Sequence, residues 1–147
     1  MINKLLLFVL VSVSFILTAE KITFIDQNYS LYPPEGWQWV GSGDSLSLNS
    51  LDKKILFLSK TYDKDSYSNL NVFKEYINSK LGSNGSFVNY TYEGRDSLIA
   101  EVSMSVNQIA HTGWMVIIED VNSYYLLFAY TLTIIYEDKY SELQSAL

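Results

Sequence analysis

Apolar and polar positions along the chain change period several times, and each change marks an element. Residues 5–17 are an apolar run, relieved only by Ser12 and Ser14. Beyond it, short alternating segments at 22–26, 29–33, 37–40, 45–49 and 54–62 predict strands. In the last of these, Ile55, Phe57 and Ser59 share one face and Leu56, Leu58 and Lys60 the other. Pro33, Pro34 and Gly36 place a turn before Trp37, with Gly36 expected at positive φ. Residues 41–45, rich in glycine and serine, predict a loop. The period then lengthens. Leu70, Phe73, Ile77 and Leu81, spaced by three, four and four with Tyr76 on the same side, form one helical stripe. Ser68 or Asn69 can cap its start, and Gly82 stands where a helix-ending glycine belongs.

The second half returns to period two. Residues 87–92 predict a strand, and Glu93 with Gly94 a tight reversal. In 95–106, Leu98, Ala100, Val102, Met104 and Val106 alternate with Ser97, Ile99, Glu101, Ser103 and Ser105, a long strand with one buried face. Residues 111–119 return, 120–123 turn, and 124–131 are apolar on both faces, the signature of a central strand. Tyr136, Tyr140, Leu143 and Leu147 then repeat at helical spacing. That helix reaches residue 147 without a C-cap signal, the pattern of one that continues. Two helices separated by so many hairpin-linked strands predict an α+β fold: a central antiparallel sheet with helices on both faces, an α/β/α sandwich.

The apolar run has a second reading. It follows Lys4 and ends in Thr18 and Ala19 before Glu20, the layout of a secretory signal peptide. The expected organisation is therefore a signal peptide at 1–19 and a single globular domain at 20–147, exported to the periplasm or beyond. The run is shorter than the roughly 20 residues of a membrane span. An uncleaved signal acting as an anchor is the alternative, because Leu17, Thr18 and Ala19 make a poor cleavage site. The chain has no cysteine. That excludes disulfides, thiolate metal sites, a cysteine nucleophile and the lipid-bearing cysteine of a bacterial lipoprotein. The formal net charge is −6, and the basic residues are scattered, with Arg95 as the single arginine. That pattern speaks against nucleic acid and anionic membrane surfaces as partners.

Two stretches carry a resemblance. Residues 29–37, with Tyr29, Tyr32, Pro33, Pro34, Gly36 and Trp37, form a strand running through a proline-bearing turn into a tryptophan. Residues 124–131 lead into Tyr136, Glu137, Asp138, Lys139 and Tyr140, a last strand followed by a helix with an acidic and aromatic start. Together with the order of elements, they resemble the PsbP-like family, whose fold is shared with Mog-type Ran-binding proteins. The resemblance implies an α/β/α sandwich and a binding or accessory role, without a shared enzymatic activity. Photosynthetic members have been linked to manganese or calcium. Here the only histidine is His111, and no family metal ligand maps onto the chain. A cytosolic GTPase partner does not fit an export signal.

Candidate chemistry is sparse. Asp63 and Asp65 open an EF-hand-like spacing, but Tyr67, Ser68 and Lys74 occupy its fifth, sixth and twelfth positions. Glu119 with Asp120, or Glu137 with Asp138, is at most a weak calcium pair; no cofactor is expected. A serine hydrolase would have to use His111, and no nucleophile elbow or phosphate loop is present. Aromatics are abundant, with 12 Tyr and 3 Trp. Trp37, Trp39 and Trp114, with Tyr29, Tyr32 and Tyr62, are candidates to line a groove or to fill the core. Strand alternation puts Trp37 and Trp39 on one face. The candidate binding residues are Trp37, Trp39, Tyr32 and Tyr29. The leading expectation is a non-enzymatic exported binding module that engages a protein partner in the cell envelope. A carrier of small apolar ligands and a cryptic hydrolase using His111 are the alternatives.

Overall fold

A computed structural model describes residues 22–24, 29–39 and 45–147; for residues 22–24, 29–31 and 39 the description covers the backbone. The expected signal peptide lies outside the described residues. Among the described residues, strands β1 (Ile22–Phe24) and β2 (Tyr29–Leu31) pair only with each other, as a separate two-stranded sheet. The main sheet is built from β3 (Gln38–Trp39), β4 (Ser45–Asn49), β5 (Ile55–Asp63), β6 (Val88–Tyr92), β7 (Arg95–Val106), β8 (Ile109–Glu119) and β9 (Ser123–Leu132). Helix α1 (Leu70–Leu81) follows β5, and α2 (Tyr136–Ser145) follows β9. All neighbours in the sheet are antiparallel, in the order β3-β4-β5-β9-β8-β7-β6.

Local chemistry accounts for most of the boundaries. Two hairpins close in two residues: Glu93 (φ 49°) and Gly94 (φ 79°) join β6 to β7, and Asn107 (φ 50°) and Gln108 (φ 67°) join β7 to β8. Positive φ at both positions is the type I′ geometry, whose twist matches that of the flanking strands. Because the second turn is so tight, β8 begins at Ile109, two residues before the sequence pattern places it. Helix α1 starts where the Asn69 side chain accepts from the Val72 amide at 3.0 Å. It ends where Gly82, at φ 59°, lets Ser83 N–H reach the Asn78 carbonyl at 3.0 Å, a Schellman closure. Two 3₁₀ turns, Lys64–Ser66 and Thr133–Ile135, follow β5 and β9 and are not visible in the periodicity.

The last four strands form a meander that returns β9 to the side of β5. Their ladder runs from Ile55↔Thr131 to Asp63↔Ser123 and joins the two halves of the chain. Burial alternates so that β8 and β9 feed two separate cores. Met115, Ile117, Tyr124, Leu126 and Phe128 pack with Phe73 and Ile77 of α1. Val116, Ile118, Tyr125, Leu127 and Ala129 pack with Tyr136 and Leu143 of α2, and with Leu46, Leu48, Ile55 and Phe57. Gly113 lets β8 and β9 approach closely: a Cβ there would lie 2.1 Å from the Ala129 carbonyl oxygen. The chain is thus an α+β protein with an antiparallel sheet and two helices. No described helix is long and apolar enough to cross a membrane.

Candidate functional site

A cavity of about 610 Å³ opens on the sheet face that carries α2. Its floor is apolar: Leu48 of β4, Phe57 of β5, Leu127 of β9 and Ile118 of β8. One wall is the turn with Tyr32, Pro33, Pro34 and Trp37; the opposite wall is Tyr92, Glu93 and Arg95 from the β6–β7 hairpin. The end of α2 closes one side with Ser145, Ala146 and Leu147.

The proline turn is built as its sequence dictates. Trp37 N–H donates to the Pro34 carbonyl at 3.2 Å, and Gly36 has φ 80°, the positive angle required at the third position of a type II turn. The turn rests on the β4–β5 hairpin, since a Cβ on Gly36 would lie 3.7 Å from Leu51. Trp37 is half-buried and packs against the α2-side core, whereas Tyr32 is 67% exposed. The backbones of Tyr29 and Trp39 lie in β2 and β3, and their side chains lie outside the described residues.

Polar groups share the lining of the cavity with this apolar floor. Tyr92 Oη donates to the Leu147 carbonyl at 3.0 Å, linking the β6–β7 hairpin to the end of the helix. Tyr125 Oη points at Asp120 Oδ2, 3.5 Å away. Burial is the main cause that pushes both phenols above their ordinary pKa, which keeps them neutral donors. Arg95 lies between two carboxylates, 3.7 Å from Glu93 and 3.6 Å from Asp120. Ser59 also lines the cavity, and its buried Oγ has no hydrogen-bond partner among the described residues.

Other aromatics from the sequence reading sit elsewhere. Trp114 packs beside α2, its ring edge-on to Tyr140 at 6.1 Å. Tyr62 joins the α1-side cluster, 5.0 Å from Phe73 and 6.2 Å from Tyr76. Neither borders the cavity. Tyr92 and Tyr125 do, and sequence reasoning missed them. Their signal was the alternation of their strands, which stays mute until the pairing β5-β9-β8 is known.

Asp63, Glu119 and Asp120 are engaged locally, while Glu137 and Asp138 stand in the first turn of α2. Asp63 accepts from the Asp65 amide at 3.0 Å as the cap of a 3₁₀ turn. Glu119 pairs with Lys64, which also donates to the Asp120 carbonyl at 3.2 Å. Among the described residues, no three His, Asp or Glu side chains come together as a metal site requires. His111 Nδ1 donates to the Ile109 carbonyl at 2.9 Å, and its ring meets Tyr130 edge-on at 5.6 Å. Neither contact is a hydrogen bond between the imidazole and a side-chain hydroxyl.

No family model matches the sequence, and no curated protein matches it. Solved structures do. The chain is similar to the solution structure of cyanobacterial PsbP (CyanoP) from Synechocystis sp. PCC 6803, with TM-score 0.60 and 10% identity over 86% of this chain and 88% of that one. It is also similar to a protein of unknown function, PA94, from Pseudomonas aeruginosa: TM-score 0.52, 11% identity, 86% of this chain and 92% of that one. A more distant likeness is LpqN, involved in cell envelope biogenesis of Mycobacterium tuberculosis: TM-score 0.48, 14% identity, 78% and 74% coverage. At these identities the likeness concerns the fold, and the fold is PsbP-like.

Proposed function

We propose that the chain is an exported, non-enzymatic binding module of the cell envelope, and that a protein partner docks on the aromatic face around Tyr32 and Trp37. One observation carries this reading: Tyr32 is 67% exposed beside a half-buried Trp37, on a turn fixed by Pro33, Pro34 and Gly36. Anchored aromatics of this kind supply large contact area at small entropic cost, which is why they dominate binding hot spots. Tyr29 and Trp39 extend the face in this reading.

Residues 1–19 support export as a signal peptide, leaving 20–147 as one domain. The two cores, one with α1 and one with α2, support an α/β/α sandwich. The local engagement of His111, Glu119 and Asp120 favours binding over hydrolysis.

The test is site-specific photo-crosslinking in the native envelope. A benzophenone side chain at position 32 should trap a defined partner, and the same group at Ile134, which is 89% exposed, should not. The purified partner should then bind Tyr32→Ala at least tenfold more weakly than the parent protein, an effect on the order of a hot spot. Trapping at 134 and not at 32 would refute the placement.

A further inference from the structure

We propose that the cavity behind this face is itself a small-ligand site, for an uncharged amphipath: an apolar body with one hydroxyl or carbonyl group that pairs with Ser59 Oγ. The inference goes beyond protein docking and rests on separate observations.

The first is Ser59 itself. It follows Ile55 and Phe57 on the buried face of β5 and is 0% exposed. Its partners across the sheet are Leu46 and Leu127, both buried. The register therefore calls for a large apolar side chain at 59. Serine puts there instead a hydroxyl that has no partner among the described residues. Native proteins leave few buried polar atoms unpaired, because each forfeits its hydration.

The second is the space and its lining. About 610 Å³ lies within the range of small-molecule pockets. Leu48, Phe57, Ile118 and Leu127 offer an apolar floor, and Trp37 and Tyr92 offer ring faces and edges.

The third is charge. Among the described residues, the one cation lining the cavity is Arg95, and it already faces both Glu93 and Asp120. An anionic head group would meet no uncommitted cation there and would meet two carboxylates. A hydroxyl or carbonyl suffers no such repulsion, and the serine hydroxyl can donate to one or accept from the other.

The probe is N-phenyl-1-naphthylamine, whose fluorescence rises in apolar sites, titrated onto the purified protein. Three competitors of equal chain length follow: decan-1-ol, decanoate and decyltrimethylammonium. Decan-1-ol should displace the probe best, with decanoate the weakest. Ser59→Ala should weaken decan-1-ol about tenfold, the loss of one buried hydrogen bond. The same variant should melt no lower than the parent when empty, since it discards an unpaired hydroxyl. Weaker binding without lost stability separates a ligand-facing serine from a structural one. Two filling variants, Ala146→Trp from the helix end and Ser59→Leu from the floor, should each reduce probe binding; circular dichroism selects whichever stays folded. Absence of probe binding, equal or better displacement by either charged competitor, or an unchanged decan-1-ol affinity in Ser59→Ala would each overturn the proposal.

Discussion

Lys139 Nζ lies 2.6 Å from Asp52 Oδ2 and ties α2 to the turn between β4 and β5. The carboxylate is prepared for this. Its Oδ1 accepts from Ser50 Oγ at 2.8 Å and from the Lys54 amide at 3.1 Å, while Ser50 Oγ accepts from the Ile55 amide at 3.0 Å. Lys139 also reaches Glu142 at 2.8 Å. The helix that borders the cavity is thus fastened to the hairpin on which the proline turn rests.

That pair carries a pH signature. Lys139 first, and Ser50 next, hold the Asp52 carboxyl well below its ordinary 3.8, while Asp52 and Glu142 raise Lys139 above 10.5. A depressed carboxyl stabilises the fold above its unfolded pKa, and a raised ammonium does so below its own. The contribution therefore spans pH 3.8 to 10.5, fading as acid or base passes those limits. Both groups are partly exposed, so Asp52→Asn should cost under about 1 kcal/mol at pH 7. In chemical denaturation, the gap to the parent protein should shrink steadily below pH 3.8. A gap that stays constant would place the cost in the hairpin turn and not in the charge.

Gly113→Ala should be far more damaging. The new methyl would meet backbone, 2.1 Å from the Ala129 carbonyl and 2.6 Å from Tyr130 Cα, between the two central strands. Neither strand can yield without breaking its ladder, so a loss of about 2–4 kcal/mol is expected. Gly94→Asn, in the exposed type I′ turn, should change the melting temperature little, because asparagine tolerates positive φ and nothing lies within 4 Å. Equal losses in both variants would refute this account of Gly113.

The aromatic face predicts a division between stability and binding. Trp37 is half-buried against the core, so Trp37→Ala should cost about 1–3 kcal/mol, less than the full truncation of a buried aromatic. Tyr32→Ala should cost under about 0.5 kcal/mol, because the ring is mostly in water. Thermal melts of the two variants check both values. A Tyr32→Ala protein that melts as low as Trp37→Ala would show that Tyr32 holds the fold together.

Alkali should find a further weakness. Burial, then the Tyr76 hydroxyl, pushes Tyr67 up to about 12, and burial with Glu101 raises Tyr136 further, its Oη donating to Glu101 at 2.7 Å. A phenol with a raised pKa stabilises the fold below its unfolded value of 10 and loses that contribution as pH rises. Phenolate absorbance should therefore show a late group of tyrosines above pH 11, appearing together with unfolding. Tyr136→Phe should remove one late phenol from that group. Complete titration near pH 10 in a folded protein would refute the assignment.

The range of the interactions decides how much could be read in advance. Asn69, Gly82, Glu93 and Gly94 act within a few residues, and the elements they bound lie where the sequence puts them. The alternation of Ile55, Phe57 and Ser59 likewise gives the buried face of β5 directly. The candidate site was legible only in part. The turn that carries Tyr32 and Trp37 announces itself through Pro33, Pro34 and Gly36, but Tyr92 and Tyr125 do not announce themselves as its neighbours.

Dihedral preference and side-chain periodicity are properties of short stretches. The sequence by itself therefore determined the main strands, α1, α2 and the turns at Pro33–Gly36 and Glu93–Gly94. Strand pairing between distant segments is chosen by the packing of the whole chain, and only tertiary structure decided that β9 lies between β5 and β8. That choice put Trp114 beside α2, drew Tyr62 into the cluster of Phe73 and Tyr76, and made Gly113 necessary. It also set Ser59 opposite Leu46 and Leu127, where a small polar side chain stands among large apolar ones with a hydroxyl that has no partner among the described residues.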